Sequence, residues 1–167
     1  MAPRILGLHH VTATAGGAQE DLDFYAGALG LRLVKKTVNF DNPGVYHFYY
    51  GDEKGTPGTL WTTFPYRGMG VRQGVHGAGQ ITVTTFSVPP GSLDAWRARL
   101  GEAGLAHAPG DARFGGEALR VTDGSGLAIE LLEGPGDERA PWTPAGGPAA
   151  DAAIRGIHGV TLTVRSA

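Results

Sequence analysis

Cysteine is absent from the 167 residues, and no hydrophobic run is long enough to cross a bilayer. The chain therefore has no disulfides, no thiolate metal ligands and no cysteine nucleophile. Its net charge of −2 and its lack of any Lys/Arg cluster argue against nucleic acids and membranes as partners. No signal-peptide pattern follows Met1, so the cytoplasm is the expected location.

What the sequence has in quantity is glycine, with 28 residues, and hydrophobic side chains, which form 41% of the chain. Frequent glycine suits tight turns between short strands. A chain of this length and hydrophobic content is sufficient for one domain with a proper core. The composition therefore indicates a globular protein that is rich in turns.

Hydrophobic periodicity predicts the order strand, helix and three strands, and it does so twice. In the first unit an N-terminal strand precedes a helix over residues 20–30, and strands follow over 31–40, 45–50 and 58–64. In the second unit a strand over 80–88 precedes a helix over 92–104, with strands over 117–122 and 127–132. Gly30 and Gly104 end the helices, and Ser92 is the predicted N-cap of the second. A strand between residues 105 and 114 has only a weak signal.

The domain organisation follows from an internal repeat. Gly156-Ile157-His158-Gly159-Val160-Thr161 repeats Gly7-Leu8-His9-His10-Val11-Thr12 with one change of character. We expect a duplicated βαβββ domain over 1–134 (units of about 1–66 and 78–134), a linker rich in Pro, Gly and Ala over 135–153, and the first strand of a truncated second domain over 154–167. The alternative is that this terminal strand closes the domain by itself.

The histidine pair near the N-terminus is the main candidate for chemistry. In an extended segment Leu6, Leu8, His10 and Thr12 share one face, so His10 would place an imidazole on a surface that is otherwise core. Neutral imidazole is a common transition-metal ligand, and a strand holds it rigidly. The alternative is a hydrogen-bonded core histidine beside a solvated one.

These features resemble the vicinal oxygen chelate superfamily, which includes glyoxalases, bleomycin-resistance proteins and extradiol dioxygenases. Within it, Leu8-His9-His10-Val11-Thr12, Leu29-Gly30-Leu31, the segment 33–41 and Gly51-Asp52-Glu53 are similar to the N-terminal half of hydroquinone-type ring-cleaving dioxygenases. The resemblance implies an α+β fold of paired βαβββ modules, with mixed curved sheets and helices outside.

The resemblance also implies a site. His10 matches a ligand of Fe(II) or Mn(II), and His9 and Thr12 match residues that line the pocket beside the metal. The two remaining ligands would lie beyond Ala167. Glu130 stands where the superfamily often has a carboxylate ligand, although pairing with an arginine is an equal alternative. The expected partners are a small aromatic substrate, O2, and either a C-terminal domain or a second copy of the chain.

The sequence is also compatible with two other functions. A glyoxalase-type isomerase or lyase would need two His/Glu pairs, and Gln80 stands where the second unit would need a histidine. A metal-free binding module of the bleomycin-resistance type could line its cleft with Trp61, Phe64 and Tyr66. His47, His76 and His107 have no partner at ligand spacing and are interpreted as non-functional.

Overall fold

The computed structural model describes residues 4–112, 115–134 and 136–166, and within them it contains two mixed β-sheets and two helices. The first sheet holds β1 (His10–Ala15), β2 (Arg32–Val38), β3 (Tyr46–Gly51) and β4 (Leu60–Pro65). The second sheet holds β5 (Gln80–Val88), β6 (His107–Pro109), β7 (Ala118–Thr122), β8 (Ala128–Glu133) and β9 (Gly156–Thr163). Helix α1 (Ala18–Leu22) continues as a π-helical segment (Asp23–Ala28), and α2 spans Leu93–Glu102.

The two units have the same topology. The first sheet has the order β1-β4-β3-β2 with β1 parallel to β4, and the second has the order β6-β7-β8-β5-β9 with β5 parallel to β8. Strands β5 to β8 therefore repeat β1 to β4 in both position and direction. This confirms the predicted α+β fold of paired βαβββ modules, and the weakly signalled strand exists as β6.

The helix ends agree with the predicted glycines, and Ser92 occupies the predicted N-cap position without making a capping hydrogen bond. Gly30 and Gly104 both adopt positive φ, +70° and +69°, directly after their helices. Ser92 is at the N-cap position, but its hydroxyl donates to the carbonyl oxygen of Pro89. The backbone N–H of Leu93 donates instead to Glu133 Oε1 at 2.9 Å. A side chain from β8 therefore caps α2, which local sequence could not indicate.

One hydrophobic core joins both units. Each helix packs on one face of its own sheet. Trp61 of the first sheet and Phe86 of the second contact each other, with their ring centres 6.5 Å apart. Arg99 of α2 donates to the carbonyl oxygens of Gly27 and Ala28, both at 2.7 Å. The largest fully buried side chains come from all of these elements: Trp96, Tyr25, Tyr50, Phe86, Leu29 and Leu100.

The face predicted for the first strand is wrong in one respect. Leu6 and Leu8 precede β1 and are 90% and 44% exposed, whereas Val11 and Ala15 are buried against the helix side. Because side chains alternate along β1, His10 and Thr12 lie on the opposite, exposed face. The leucines thus mark no core surface in this structure.

The segment between β8 and β9 packs against both units. Trp96 Nε1 donates to the carbonyl oxygen of Ala152 at 2.9 Å, and Ala153 is fully buried. Arg139 donates to the carbonyl oxygens of Gly58 and Ile157 at 2.7 and 3.1 Å. These contacts hold β9 antiparallel to β5, while the domain boundaries stay a prediction. Within the described part of the chain, no helix is long and apolar enough to span a membrane.

Candidate functional site

The candidate site lies on the face of the first sheet that points away from α1, here called the open face. Strand register places Thr12, Thr62, Tyr49 and Lys35 in one row across the four strands. His10 lies on one side of this row, and His47, on β3, lies on the other. The open face therefore combines imidazole, hydroxyl and aromatic groups on regular strands, where their positions are well defined.

His10 is the first residue of β1, and its ring contacts that of His9. The Nδ1 atoms of His9 and His10 lie 3.2 Å apart, with the rings edge to face at 5.3 Å. His9 precedes the strand, so strand alternation does not force its side chain to the other face. Its backbone carbonyl accepts from Gly58 N–H at 2.7 Å. The contact engages Nδ1 of His10 and leaves Nε2 as the atom available to a ligand.

Thr12 lies two residues further along the same face. Its Oγ1 is 2.8 Å from Oγ1 of Thr62, which is completely buried on β4. Thr12 itself is exposed. The structure therefore brings together three of the four predicted site residues, His9, His10 and Thr12, at one end of the open face.

His47, which was predicted to be non-functional, is a polar residue of the open face. The centre of its ring lies 3.9 Å from the ring centre of Phe64 and 4.2 Å from the ring centre of Tyr49. Tyr49 Oη is 3.1 Å from Nδ1 of His47, whereas Nε2 is buried and has no hydrogen-bond partner among the described residues. Burial lowers the pKa of His47, and the nearby charges of Lys35 and His10 lower it further. Alternation of β3 against the buried Phe48 was the one signal that could have placed it.

Glu130 is not part of this group. It lies on β8 in the second sheet, between Thr85 of β5 and Arg120 of β7. Arg120 donates to its Oε1 from Nη2 at 2.5 Å and from Nε at 3.0 Å, and Thr85 donates to Oε2 at 3.3 Å. The carboxylate is completely buried, while Arg120 also reaches Asp111. Of the two alternatives raised by the sequence, the arginine pair is present, and metal binding by Glu130 stays a prediction.

Gln80, which the sequence pattern predicts at the position of His10 in the second unit, also binds within the protein. Its Nε2 donates to the carbonyl oxygen of Val75 at 3.1 Å. Among the described residues there is no group of three or more His, Asp or Glu side chains that could hold a metal ion. The described part of the chain therefore offers His10 as a single candidate ligand on the open face, not a complete metal site.

A cleft of about 550 Å³ runs beside the edge strand β1. Its lining includes Thr12 of β1, Trp61 of β4, and Tyr66, which directly follows β4. Gln73 and His76 line it from the loop before β5. Gln73 and His76 bind the carbonyl oxygens of Ser125 and Gly126, both at 3.1 Å, and so hold this loop across the units. Of the three aromatic residues considered for a cleft, Phe64 lies elsewhere, on the open face beside His47.

Two buried carboxyls lie on the helix side of the sheets. Asp21 Oδ2 accepts from Tyr50 at 2.7 Å and Thr63 at 2.6 Å, and Asp123 Oδ2 accepts from Tyr25 at 2.9 Å. Burial raises the pKa of both carboxyls, and the charge of Asp123 adds to the effect on Asp21. These groups are enclosed in the core and are structural.

The chain is similar to known proteins over nearly all of its length. It is 47% identical to MhqO of Bacillus subtilis (strain 168), whose name designates a ring-cleaving dioxygenase, over 97% of the chain and 51% of that protein. It is 40% identical to the chlorohydroquinone/hydroquinone 1,2-dioxygenase of Sphingobium indicum, over 96% of the chain and 50% of that protein. The crystal structure of a dioxygenase from Bacillus subtilis superposes with a TM-score of 0.88 at 46% identity, over 96% of the chain and 51% of that structure.

The chain thus spans about half the length of the relatives it matches. A family model matches residues 7–131, from the glycine that opens the histidine motif to the strand that carries Glu130. The duplicated topology and this match agree, and the chain belongs to the glyoxalase/bleomycin resistance protein/dioxygenase superfamily.

Proposed function

We propose that this chain acts as one half of a metal-dependent dioxygenase that cleaves the ring of a para-diol such as hydroquinone. The observation that carries the proposal is His10, an imidazole at the start of a strand whose Nδ1 contacts His9 and whose Nε2 is available on the open face. The substrate class comes from the names of two relatives, a ring-cleaving dioxygenase and a chlorohydroquinone/hydroquinone 1,2-dioxygenase.

The residues present fit one ligand position of an Fe(II) or Mn(II) site. Metal-bound histidines usually engage their second ring nitrogen in a hydrogen bond, and the His9 contact has this form. A bound metal with two imidazoles and one carboxylate would supply open positions where a ring hydroxyl and O2 can bind side by side. His9 would accept or donate a proton at the substrate oxygen, and the Thr12 hydroxyl would orient that oxygen. Ferrous iron is best maintained in the reducing cytoplasm, where we place the reaction.

The second sheet suggests how the missing ligands would arrive. β9 carries the same motif as β1, and it pairs antiparallel with β5, the counterpart of β1. The corresponding edge of β1 has no strand partner within the described chain. We therefore infer that a strand of a further βαβββ unit, from a C-terminal half or from a second copy, docks along β1 and brings a histidine and a carboxylate to His10.

The proposal is tested on the complete polypeptide that the gene encodes, whether it ends at Ala167 or continues. We expect stoichiometric iron or manganese, oxygen uptake with hydroquinone, and loss of both on His10→Ala. His9→Ala should retain the metal and lower the turnover rate. The 167-residue chain by itself should bind Fe(II) weakly, because one protein ligand adds little binding free energy over the water molecule that it displaces from the ion.

The matched control is His107→Ala, which removes an imidazole from β6, far along the chain from the open face. It should leave metal content and oxygen uptake unchanged. Retention of iron and turnover by His10→Ala would make the histidine structural and refute the proposal. Turnover by the isolated chain would mean that Glu130 or another residue within it completes the site.

One observation favours a second function, a metal-free small-molecule binding module. The cleft beside β1 is large enough for an aromatic molecule, and the indole Nε1 of Trp61 is buried with no hydrogen-bond partner among the described residues. Tight binding of aromatic compounds by metal-free protein, combined with the absence of oxygen uptake, would support this function over ring cleavage.

A further inference from the structure

We infer that His47 binds the hydroxyl group of the aromatic substrate that lies furthest from the metal, and so selects para-diols over rings without that hydroxyl. This inference rests on the proposed function and adds a substrate-binding residue on the far side of the open face. Three observations support it: the position of His47, its unsatisfied Nε2 and the two rings beside it.

The position follows from strand register. His10 pairs with Leu60 at one end of the first sheet, and the row Thr12, Thr62 and Tyr49 crosses the middle. His47 lies beyond that row, two residues before Tyr49 on β3. The two histidines are offset by four residues along the strand direction and by two strands across the sheet. Their backbones are therefore on the order of 16 Å apart.

The polar atom that would bind the hydroxyl is Nε2 of His47. Tyr49 Oη engages Nδ1 at 3.1 Å, and Nε2 is buried with no partner among the described residues. A buried polar atom without a hydrogen bond costs roughly 1–3 kcal/mol, so its retention calls for a ligand. If Tyr49 donates to Nδ1, Nε2 carries the proton and is a donor; in the other tautomer it is an acceptor. A hydroxyl group satisfies either form, whereas a methyl group satisfies neither.

The surroundings of Nε2 favour a flat aromatic ligand. Phe64 and Tyr49 hold the imidazole between them, with ring separations of 3.9 and 4.2 Å. The ammonium group of Lys35 lies 5.5 Å from the centre of the Tyr49 ring, where it favours a substrate with phenolate character. The row between the two histidines holds the exposed Thr12, which is hydrogen-bonded to the buried Thr62, and the half-buried Tyr49.

A para-diol matches this layout. One hydroxyl would bind the metal held at His10, the ring would lie over the threonine row, and the second hydroxyl would reach His47. A metal bond at one end and a hydrogen bond at the other give such a molecule a span on the order of 10 Å. A catechol places both hydroxyls at the same end and would leave Nε2 unsatisfied.

The test compares two ligands and two variants of the complete polypeptide, under anaerobic conditions so that no turnover occurs. The ligands are hydroquinone and 4-methylphenol, which replaces the second hydroxyl by a methyl group of similar size. His47→Phe keeps the ring stacking but removes the polar atom, and it should weaken hydroquinone binding roughly 3- to 10-fold. Binding of 4-methylphenol should change by less than about 2-fold, and metal content should not change.

The control variant is His107→Phe, which should alter neither affinity, and His47→Gln should recover part of the hydroquinone affinity because its amide can donate. Equal weakening of both ligands by His47→Phe, or no weakening of either, would overturn the inference. A second readout separates this inference from the proposed function. In the 167-residue chain, hydroquinone should shift the ring ¹⁵N resonances of His47 and 4-methylphenol should not, whether or not iron binds. Absence of that shift at saturating hydroquinone would also overturn it.

Discussion

The open face of the first sheet and the equivalent face of the second sheet share a topology but differ in chemistry. On the first sheet Nδ1 of His10 contacts His9, Nδ1 of His47 contacts Tyr49, and Nε2 of His47 is buried without a partner among the described residues. The edge strand β1 has no strand partner in the described chain. On the second sheet Glu130 is buried under two hydrogen bonds from Arg120, and β9 covers the edge of β5.

The difference shows what duplication permits. Both units retain the core that a βαβββ module needs, because each sheet must bury the side that its helix covers. The other side of each sheet is not constrained in this way. In the second unit this side holds a buried carboxylate paired with an arginine, and in the first it holds a histidine whose Nε2 has no partner among the described residues.

The largest effect is expected from breaking the ion pair of the second sheet. Arg120→Met would leave the Glu130 carboxylate buried without its arginine, and we expect a loss of about 3 kcal/mol in the free energy of unfolding. Urea denaturation would measure it. Lys35→Met removes a cation from the first sheet and, being an exposed change, should cost less than about 0.5 kcal/mol. Equal costs for the two variants would show that the faces do not differ as described.

A smaller effect should distinguish the two helix-ending glycines. Both have positive φ, so alanine at either position costs about 1–2 kcal/mol in backbone strain. At Gly30 the added Cβ would also lie 2.3 Å from Cδ of Pro148, whereas at Gly104 it would meet no atom within 4 Å. Gly30→Ala should therefore lower the thermal midpoint more than Gly104→Ala. If the order is reversed, the contact of residue 148 with the first unit is not maintained in solution.

The smallest effect concerns pH. Burial raises the folded-state pKa of Asp21, so the folded protein binds this proton more tightly than the unfolded chain. The charged form of Asp21 therefore lowers the free energy of unfolding. This destabilisation is absent below the pKa of about 4 that Asp21 has in the unfolded chain, and it grows as pH rises through the pKa in the folded protein. The stability of Asp21→Asn relative to the native protein should thus improve between pH 4 and 7. The Oδ1 atom of Asp123 accepts two backbone N–H groups at 2.8 Å, which favour the charged carboxylate and oppose the effect of burial on its pKa. Asp123→Asn should therefore show less improvement. A pH-independent difference for Asp21→Asn would contradict the cause assigned to the raised pKa.

Much of the fold could be predicted from local patterns. The strand and helix order, Gly30, Gly104 and the repeat of the histidine motif all depend on residues that are close in sequence, and the topology agrees with them. The cap of α2 could not be predicted, because its acceptor Glu133 lies 40 residues from Leu93. The exposed face of β1 was also missed, because a strand's two faces are distinguished by what packs on them.

For the candidate site, the sequence by itself determined the histidine pair, Thr12 and the identity of the module, since motif and periodicity are properties of adjacent residues. Tertiary structure alone decided which atoms of these residues are available. It joined Glu130 to Arg120 across two strands and engaged Nδ1 of His10 through His9. It also set His47 between Phe64 and Tyr49, with Nε2 free of any partner in the described chain. Hydrogen bonding and burial depend on neighbours that the chain brings together only when it folds, and those neighbours determine what a side chain can bind.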